Sequence, residues 1–372
     1  MNCHIVPQCY LKSWKIPEYK KSIYVFQKKN LYAKEPKKIR SMSRTNFAKT
    51  NEYILDINNT YYMFKFYDEF VETLKECEAK AFYNDIEIDS EELFLENMEN
   101  ISQWTYKTIN LNKNADFMHI KKTWENKVGK SIEKYFADKL EMGWNSILDY
   151  TENYIMKHKN TVQKKYYDEL LEFSMVQFLR RKENLYNLGL DWIFDILKSI
   201  FEEEINVDSS EIFNYEFKEA AWIFELYKHS QYKNTHNKNI IDEGIASIKN
   251  LFQPCFIISN SYVDFITSDN PCFIIKSNPN YTNGIYLPIN KRVCLFMCRF
   301  EKSKIASKHY IILEADENNV KYINNLIKRN ALNEIAFWEN DISKIISNKF
   351  NAKSWYKMIE TIQPKMTNII KE

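Results

Sequence analysis

Hydrophobic spacing divides the chain into strand-like ends and a helical middle. In the middle, apolar residues recur every three or four positions, which predicts amphipathic helices. The predicted helices are Phe66–Cys77, 93–108, 124–147, Tyr167–Leu185 and Phe213–Tyr227, with another short one beginning at Asp191. No proline lies between Pro36 and Pro254. Because proline breaks helix interiors, this stretch is free to form long helices.

Shorter apolar runs near both ends predict β-strands. The predicted strands are Ser22–Phe26, Glu52–Leu55, Phe256–Ser259, Val263–Ile266, Cys272–Ile275, Arg292–Met297, Tyr310–Leu313 and Ile335–Trp338. A helix is predicted among the later strands, over residues 318–330.

These patterns together predict an α+β fold. We expect a mixed sheet built from N-terminal and C-terminal strands, with a large, mainly helical middle segment. The segments are a β-rich one at 1–65, a helical one at 66–250 and an α+β one at 251–372. The last is expected to pack with 1–65 as one sheet.

Composition and charge narrow the class of protein. The chain has 372 residues, of which 45% are hydrophobic, and this is enough for a sizeable core in one or two domains. The formal net charge is only +2, so bulk charge does not draw the protein to nucleic acid or to a membrane. The sequence shows neither a run of 18 uncharged apolar residues nor a signal-peptide pattern, so we expect a cytoplasmic protein.

The common catalytic and metal-binding motifs are missing from the sequence. It contains no GxxxxGK[ST], GxGxxG, GxSxG or HExxH motif. Its seven cysteines form no CxxC pair, which argues against a disulfide framework and against a structural zinc site. Cys294 and Cys298 lie in an apolar run and are expected to be buried packing thiols.

Two polar motifs near the ends of the chain could carry chemistry. His4 precedes Pro7, which restricts the backbone, so the imidazole could act as a general base, phosphate donor or metal ligand, or could serve a structural role. Residues 267–271, Thr-Ser-Asp-Asn-Pro, follow an apolar run, a common place for catalytic groups. Asp269 could orient His4, bind a cation or act as a base, and Ser268 could be a nucleophile only beside a base. The alternative is an Asx-type turn.

Helical spacing adds a third polar group in the middle of the chain. It places Arg180 about one turn from both Gln177 and Asn184, and the apolar flanks predict that Gln177 is partly buried. Either an anion or a hydrogen-bonded bridge between helix and sheet would satisfy these groups, and in the second case Arg181 would face solvent. Glu78 lies on a predicted acidic helix, where a solvated face is the simpler interpretation.

These segments together resemble the family called domain of unknown function 4238. The family's opening pattern is matched by His4, Pro7, Gln8, Tyr10, Leu11, Lys12 and Trp14, and its late pattern by Phe265–Pro271. Further matches are Asn46 to Ala48 with Tyr53, a helical glutamate at Glu78, and Phe173, Gln177 and Arg180. The sequence departs from the pattern at Lys12, at Arg181-Lys182, and in an apparent insertion over 93–160. The resemblance implies a shared site and no established reaction.

Three hypotheses for function follow. The first is an enzyme acting on RNA, DNA or a nucleotide, such as a nuclease in antiviral defence or a toxin. Its catalytic residues would be His4 and Asp269, its substrate-binding residues Gln8, Gln177, Arg180, Ser268 and Asn270, and its supporting residues Glu78 and Tyr10. The second is a non-catalytic sensor or partner-binding protein in which these residues form a structural network. The third is a metal protein that uses His4, Asp269 and Glu78 as ligands. One histidine and two carboxylates are few ligands for zinc, so the sequence leaves the cofactor open. It also leaves the oligomeric state open.

Overall fold

The fold is taken from a computed structural model. It describes residues 2–3, 6–19, 21–30, 38–41, 47, 49–50, 67–110, 113–181, 183–184, 222–223, 225–227, 229–230, 240–275, 284–299, 309–342, 345–346 and 352–362. His4, the predicted strand Glu52–Leu55 and the predicted helix beginning at Asp191 lie outside the described residues.

The helices occupy mainly the middle of the chain. They are α1 (Gln8–Leu11), α2 (Tyr67–Glu76), α3 (Glu91–Asn97), α4 (Phe117–Tyr135), α5 (Trp144–Asn153), α6 (Tyr167–Leu179), α7 (Ile240–Leu251), α8 (Glu317–Asn330) and α9 (Ala352–Glu360). Short 3-10 turns are Lys12–Trp14, Lys28–Asn30, Met98–Gln103 and Ile155–Lys157, and a π-helical turn is Phe136–Glu141. No helix in the described part of the chain is long and apolar enough to cross a membrane.

The strands lie near both ends of the chain, and four others lie between the helices of the middle. They are β1 (Asn2–Cys3), β2 (Ser22–Gln27), β3 (Lys38–Ser41), β4 (Lys49–Thr50), β5 (Ala79–Tyr83), β6 (Ile86–Glu87), β7 (Thr105–Thr108), β8 (Thr161–Gln163), β9 (Phe252–Ser259), β10 (Thr267–Ser268), β11 (Phe273–Ile275), β12 (Gly284–Pro288), β13 (Val293–Arg299), β14 (His309–Ala315) and β15 (Glu334–Phe337).

The chain divides into two compact units. The first contains Met1–Cys3, Thr50–Phe136 and Leu185–Ile240, and the second contains His4–Lys49, Ala137–Asn184 and Ile241–Glu372. Each unit therefore draws on segments that are distant in sequence.

The first unit combines a small sheet with helices α2 and α4. The three-stranded antiparallel sheet has the order β6-β5-β7. Helix α2 buries Phe70 and Leu74 on one face, as its spacing predicts. The ring of Phe70 lies 5.7 Å from that of Trp104 and 6.4 Å from that of Trp124 of α4. Aromatic burial therefore holds helix and sheet together in this unit.

The second unit contains the mixed sheet. Its six strands have the order β11-β12-β13-β9-β14-β8, and β14 and β9 are the parallel pair. Every residue from Gln253 to Ser259 in β9 is buried, so both faces of this strand are covered. A doubly covered strand carries apolar residues on both faces, which explains its continuous hydrophobic run. Cys294 and Cys298 of β13 are buried, as predicted.

A second sheet in this unit joins the two ends of the chain. It is antiparallel with the order β10-β15-β2-β3, and Phe26 of β2 faces Ile335 of β15. The predicted α+β class, with a mixed sheet and a helical middle segment, is confirmed. The N-terminal and C-terminal strands meet in this antiparallel sheet, whereas the mixed sheet is built from residues 161–315.

Hydrophobic spacing correctly predicts most elements that can be compared. The confirmed elements are α2, α8, β2, β9, β11, β13, β14 and β15. Residues 93–108, however, form α3, a 3-10 turn and β7 instead of one helix. The predicted helix 124–147 is interrupted by the π-helical turn and Gly143, and the helix predicted to reach Leu185 ends at Leu179.

The predicted strand Val263–Ile266 is wrong. The contacts that replace strand pairing also position the late motif, which is Thr267–Pro271. The backbone of Val263–Ile266 bonds to loops and side chains instead of to a neighbouring strand. Phe265 N donates to Lys291 O over 2.8 Å, and Ile266 N donates to Asn324 Oδ1 over 3.1 Å. Asn324 Nδ2 also donates to the carbonyl of Asp264 over 2.9 Å. Helix α8 therefore holds this segment in place and sets the position of the Thr-Ser-Asp-Asn-Pro motif.

Candidate functional site

The late motif lies in the interior of the second unit. Thr267 and Ser268 form β10 and pair with Ala336 and Ile335 of β15. The exposed fraction is 0% for Thr267, Ser268 and Asp269, and 2% for Asn270. A polar segment buried this completely must find its hydrogen-bond partners within the protein.

Asp269 meets that requirement through the loop that precedes β15. Its Oδ1 accepts from Leu332 N over 2.9 Å, and its Oδ2 accepts from Asn333 N over 2.9 Å and from Glu334 N over 3.3 Å. Its own backbone N–H donates to Glu334 O over 3.0 Å. Arg181 Nε donates to Asp269 O over 2.7 Å, and Arg181 Nη2 lies 3.9 Å from Oδ2. Both carboxylate oxygens therefore hold the connection from α8 to β15.

Two opposing effects act on the pKa of Asp269. Burial raises the pKa of this carboxyl above its ordinary value, although Arg181 and the three backbone N–H groups act to lower it. Desolvation is the largest of these effects because the charged form loses its water. The carboxylate is thus held by donors that only partly offset its removal from water.

Asn270 extends the contacts to Asn184, which follows the end of α6. Asn184 Nδ2 donates to Asn270 Oδ1 over 2.9 Å, and Asn270 Nδ2 donates to Asn184 Oδ1 over 2.8 Å. Asn270 Nδ2 also donates to Asn330 O over 3.0 Å. Ser268 Oγ accepts from Asn270 N over 3.2 Å, the two-residue turn contact that side-chain oxygens commonly make. We call these residues, with Asp269, Arg181 and the loop 332–334, the buried network.

The opening motif reaches the same region through two aromatic side chains. The Tyr10 hydroxyl is 2.9 Å from Thr267 Oγ1, and Trp14 Nε1 donates to Phe265 O over 2.8 Å. Tyr10 and Trp14 each have an exposed fraction of 0%. Gln8 is half-buried at the start of α1. The structure therefore brings the described part of the opening motif against the late motif, while His4 lies outside the described residues.

Gln177 and Arg180 are buried at the end of α6, with exposed fractions of 1% and 0%. Arg180 Nη2 lies 3.7 Å from Glu141 Oε1, in the π-helical turn. The charge of Arg180 thus faces an acid of the protein itself. Arg181, which the interpretation as a helix-to-sheet bridge places in solvent, is 1% exposed and bonds to Asp269. That expectation is wrong because helix α6 ends at Leu179, so the helical spacing no longer orients the side chain of Arg181.

A comparison with protein-family models matches residues 2–341 to a family described as "Protein of unknown function (DUF4238)". The chain belongs to the DUF4238 family. The match includes residues 93–160, which the sequence pattern indicated as an insertion. Neither the curated proteins nor the solved structures contain a match to the chain. DUF4238 membership therefore confirms the resemblance and brings no reaction with it.

Glu78, the glutamate matched to the DUF4238 pattern, does not lie on a helix as predicted. Helix α2 ends at Glu76, and Glu78 is an exposed turn residue with a φ of 48°. Its backbone N–H donates to Lys75 O over 3.1 Å, a contact that closes the helix end. It belongs to the first unit, whereas Asp269 belongs to the second.

Within the described residues, no group of three or more His, Cys, Asp or Glu side chains could hold a metal ion. His4, one of the three ligands in the metal hypothesis, lies outside that set. Of the other two, Asp269 uses its oxygens on backbone N–H groups.

The hydrogen bond between Tyr10 and Thr267 joins the two DUF4238 motifs, so removing the Tyr10 hydroxyl should lower the stability of the protein. The Tyr10→Phe change removes the partner of Thr267 Oγ1 in a fully buried site. We expect the free energy of unfolding to fall by about 1 kcal/mol, measured by urea denaturation followed by circular dichroism. Tyr19→Phe is the matched control because Tyr19 is 53% exposed. An unchanged stability of the Tyr10→Phe variant would contradict the contact.

Proposed function

We propose that the protein is a non-catalytic binding or sensor protein whose two family motifs form a structural network. One observation carries this proposal. Both carboxylate oxygens of Asp269 accept backbone N–H groups of residues 332–334, and the side chain has an exposed fraction of 0%.

The physical argument concerns what a catalytic carboxylate must do. A general base has to come within hydrogen-bonding distance of the proton that it removes, either directly or through one water. The oxygens of Asp269 are instead directed at the backbone of the loop before β15. Around it, the buried network joins segments near residues 181, 270 and 330, and Tyr10 contacts the adjacent Thr267. Contacts of this kind support a role in specifying the fold.

A second candidate function is an enzyme that acts on a phosphate-bearing substrate. It would be a cytoplasmic nuclease or nucleotide hydrolase of antiviral defence, with His4 and Asp269 as catalytic residues. The observation that favours it is the raised pKa of Asp269, because functional carboxylates often have perturbed pKa values. Buried structural carboxylates have raised pKa values as well, so this support is weaker than the geometry.

Turnover distinguishes the two candidates. The purified full chain would be incubated with RNA, DNA, ATP and NAD, with and without Mg²⁺ or Mn²⁺, beside the Asp269→Asn variant. We expect the wild type to leave all four substrates intact. Hydrolysis by the wild type that is lost in Asp269→Asn, at a temperature where circular dichroism shows the variant folded, would establish the enzyme instead.

A further inference from the structure

An open groove of about 860 Å³ lies in the second unit, apart from the buried network. One wall is helix α5, which directs Asn145, Asp149 and Asn153 into it at intervals of four residues. The other wall is the segment 163–166, which runs from the last residue of β8 to the start of α6. We call it the tyrosine–lysine groove. Its volume lies in the range of small-molecule binding sites.

Tyrosine rings form the base and rim of this groove. Tyr150 is buried at the base, where its hydroxyl donates to Gln163 O over 3.1 Å. Tyr154 stacks on Tyr150 with ring centroids 5.3 Å apart and is 44% exposed. Tyr166 contacts Tyr150 edge-on at 5.5 Å. The Tyr154 ring is also contacted by His158, with ring centroids 4.3 Å apart. Tyr150 and His158 together hold this ring in place, and its solvent-exposed part is a suitable platform for a flat ligand.

Lys165 places positive charge beside these rings, and Lys164 is a lining residue whose ammonium lies over Tyr167, a neighbour outside the lining. Lys165 Nζ lies 4.9 Å from the centroid of Tyr166 and 5.9 Å from that of Tyr150. Lys164 Nζ lies 4.0 Å from the centroid of Tyr167. Asp149 is the acidic residue of the lining, and Asn153 Nδ2 donates to its Oδ1 over 2.7 Å. Cations and exposed aromatic faces together are the combination that binds single nucleotides and single strands.

The backbone at this wall is unusual. Tyr166 has φ 57° and ψ 27°, a left-handed conformation that is unfavourable for a residue with a side chain. Neighbouring contacts hold it there, since Tyr310 Oη donates to Lys165 O over 2.8 Å and Leu170 N donates to Tyr166 O over 3.0 Å. This conformation fixes the direction of the chain at the wall of the groove, where β8 leads into α6.

We propose that the tyrosine–lysine groove binds a nucleobase joined to a phosphate, either a free nucleotide or single-stranded nucleic acid. Lys164 and Lys165 bind the phosphate, and the base stacks on Tyr154. Asp149 and Asn153 on the facing wall bind sugar hydroxyls or base amino groups. The inference deepens the proposed binding function and rests on it, because it names the ligand class.

Binding is tested with the full chain at low salt. The probes are fluorescein-labelled U12 RNA and dT12 DNA by fluorescence polarisation, and ATP and UMP by calorimetry. We expect Tyr154→Ala to weaken binding on the order of tenfold through the lost base stacking. Lys165→Gln should reduce the slope of log affinity against log salt by about 0.7 through one lost phosphate contact. Tyr19→Ala and Lys15→Gln, at exposed positions of the same unit, should leave binding unchanged.

The pH dependence provides a second readout. Burial lowers the pKa of Lys164 to about 8, against the smaller opposing effects of Cys255 and Asp168. The other group facing its ammonium is the ring of Tyr167, and Asp168 itself pairs with Lys249. Because the cation is lost as pH rises through this value, phosphate affinity should fall between pH 7 and pH 9. Lys164→Arg, which stays charged, should remove that fall.

The outcomes distinguish a free nucleotide from a nucleic acid as the ligand. They also distinguish a failure of the groove proposal from a failure of the proposed non-catalytic function. Equal affinity for nucleotides and oligomers identifies a nucleotide site, and binding of oligomers alone identifies a nucleic-acid site. Either result supports the inference. It is overturned if every probe fails to bind, or if Tyr154→Ala and Lys165→Gln bind as the wild type does. Turnover that depends on Asp269 would instead remove the non-catalytic function while leaving the groove measurements intact.

Discussion

The Asp269→Ala change should lower the free energy of unfolding by about 4 kcal/mol, because it breaks a buried polar arrangement by removing one partner. The alanine would leave the N–H groups of Leu332, Asn333 and Glu334 without the carboxylate that accepts them. It would also remove the negative charge 3.9 Å from the Arg181 guanidinium. Urea denaturation followed by circular dichroism at pH 7 measures the effect.

Asp269→Asn is the graded control for this change. Its amide oxygen can still accept from Asn333 and Glu334, and its NH₂ group would face the Leu332 N–H. One orphaned donor predicts a loss of about 2 kcal/mol, between the wild type and Asp269→Ala. An active-site carboxylate predicts the opposite trend, since active-site groups are often replaced with little loss of stability. If both variants kept the wild-type stability, the structural role of Asp269 would be refuted.

The Trp14→Ala change should have an effect of similar size, also about 4 kcal/mol. The indole of Trp14 is fully buried, 5.0 Å from the ring of Tyr10, and its Nε1 donates to Phe265 O. Truncation would leave a large cavity and an unsatisfied carbonyl just before the late motif. A stability of 5–15 kcal/mol is ordinary for a domain, so this loss would remove a large share of it.

Trp14→Phe separates the two parts of that effect. It keeps most of the apolar volume and removes the indole N–H, so we expect a loss of about 1–2 kcal/mol. Hydrogen exchange provides a local readout, because the amides of Phe265 and Ile266 should lose protection in Trp14→Ala more than those in β9. Unchanged protection of residues 265–266 would contradict the anchoring role of Trp14.

Contacts made by Trp14 and Tyr10 explain why the opening and late motifs occur together in the sequence. Trp14 bonds to the backbone of Phe265, and Tyr10 to the side chain of Thr267, so the opening motif clamps the chain just before Asp269. Asp269 in turn holds the loop that leads into β15, which pairs with β2. The motifs are thus mutually dependent in packing.

The sequence alone determined the fold class, most of the strands, and the pairing of an opening motif with a late one. It did so because strand and helix periodicities are local and because the motif residues occur as recognisable types at fixed spacing. Local sequence patterns did not predict the orientation of the Arg181 side chain, nor that Val263–Ile266 is not a strand. The helix end at Leu179 decided the first, and hydrogen bonds to Lys291 and Asn324 decided the second.

Only the tertiary structure decided which polar residues are reachable. Asp269 lies in the late motif and has an exposed fraction of 0%, whereas Tyr154 belongs to no motif and is 44% exposed. The tyrosine–lysine groove went unpredicted because its walls belong to different elements, and local spacing does not show that Tyr166 contacts Tyr150. Burial depends on contacts between segments distant in sequence, such as Leu332 with Asp269, and no local pattern encodes such contacts. The opening and late motifs were therefore visible in the sequence, whereas their enclosure was decided by the packing around them.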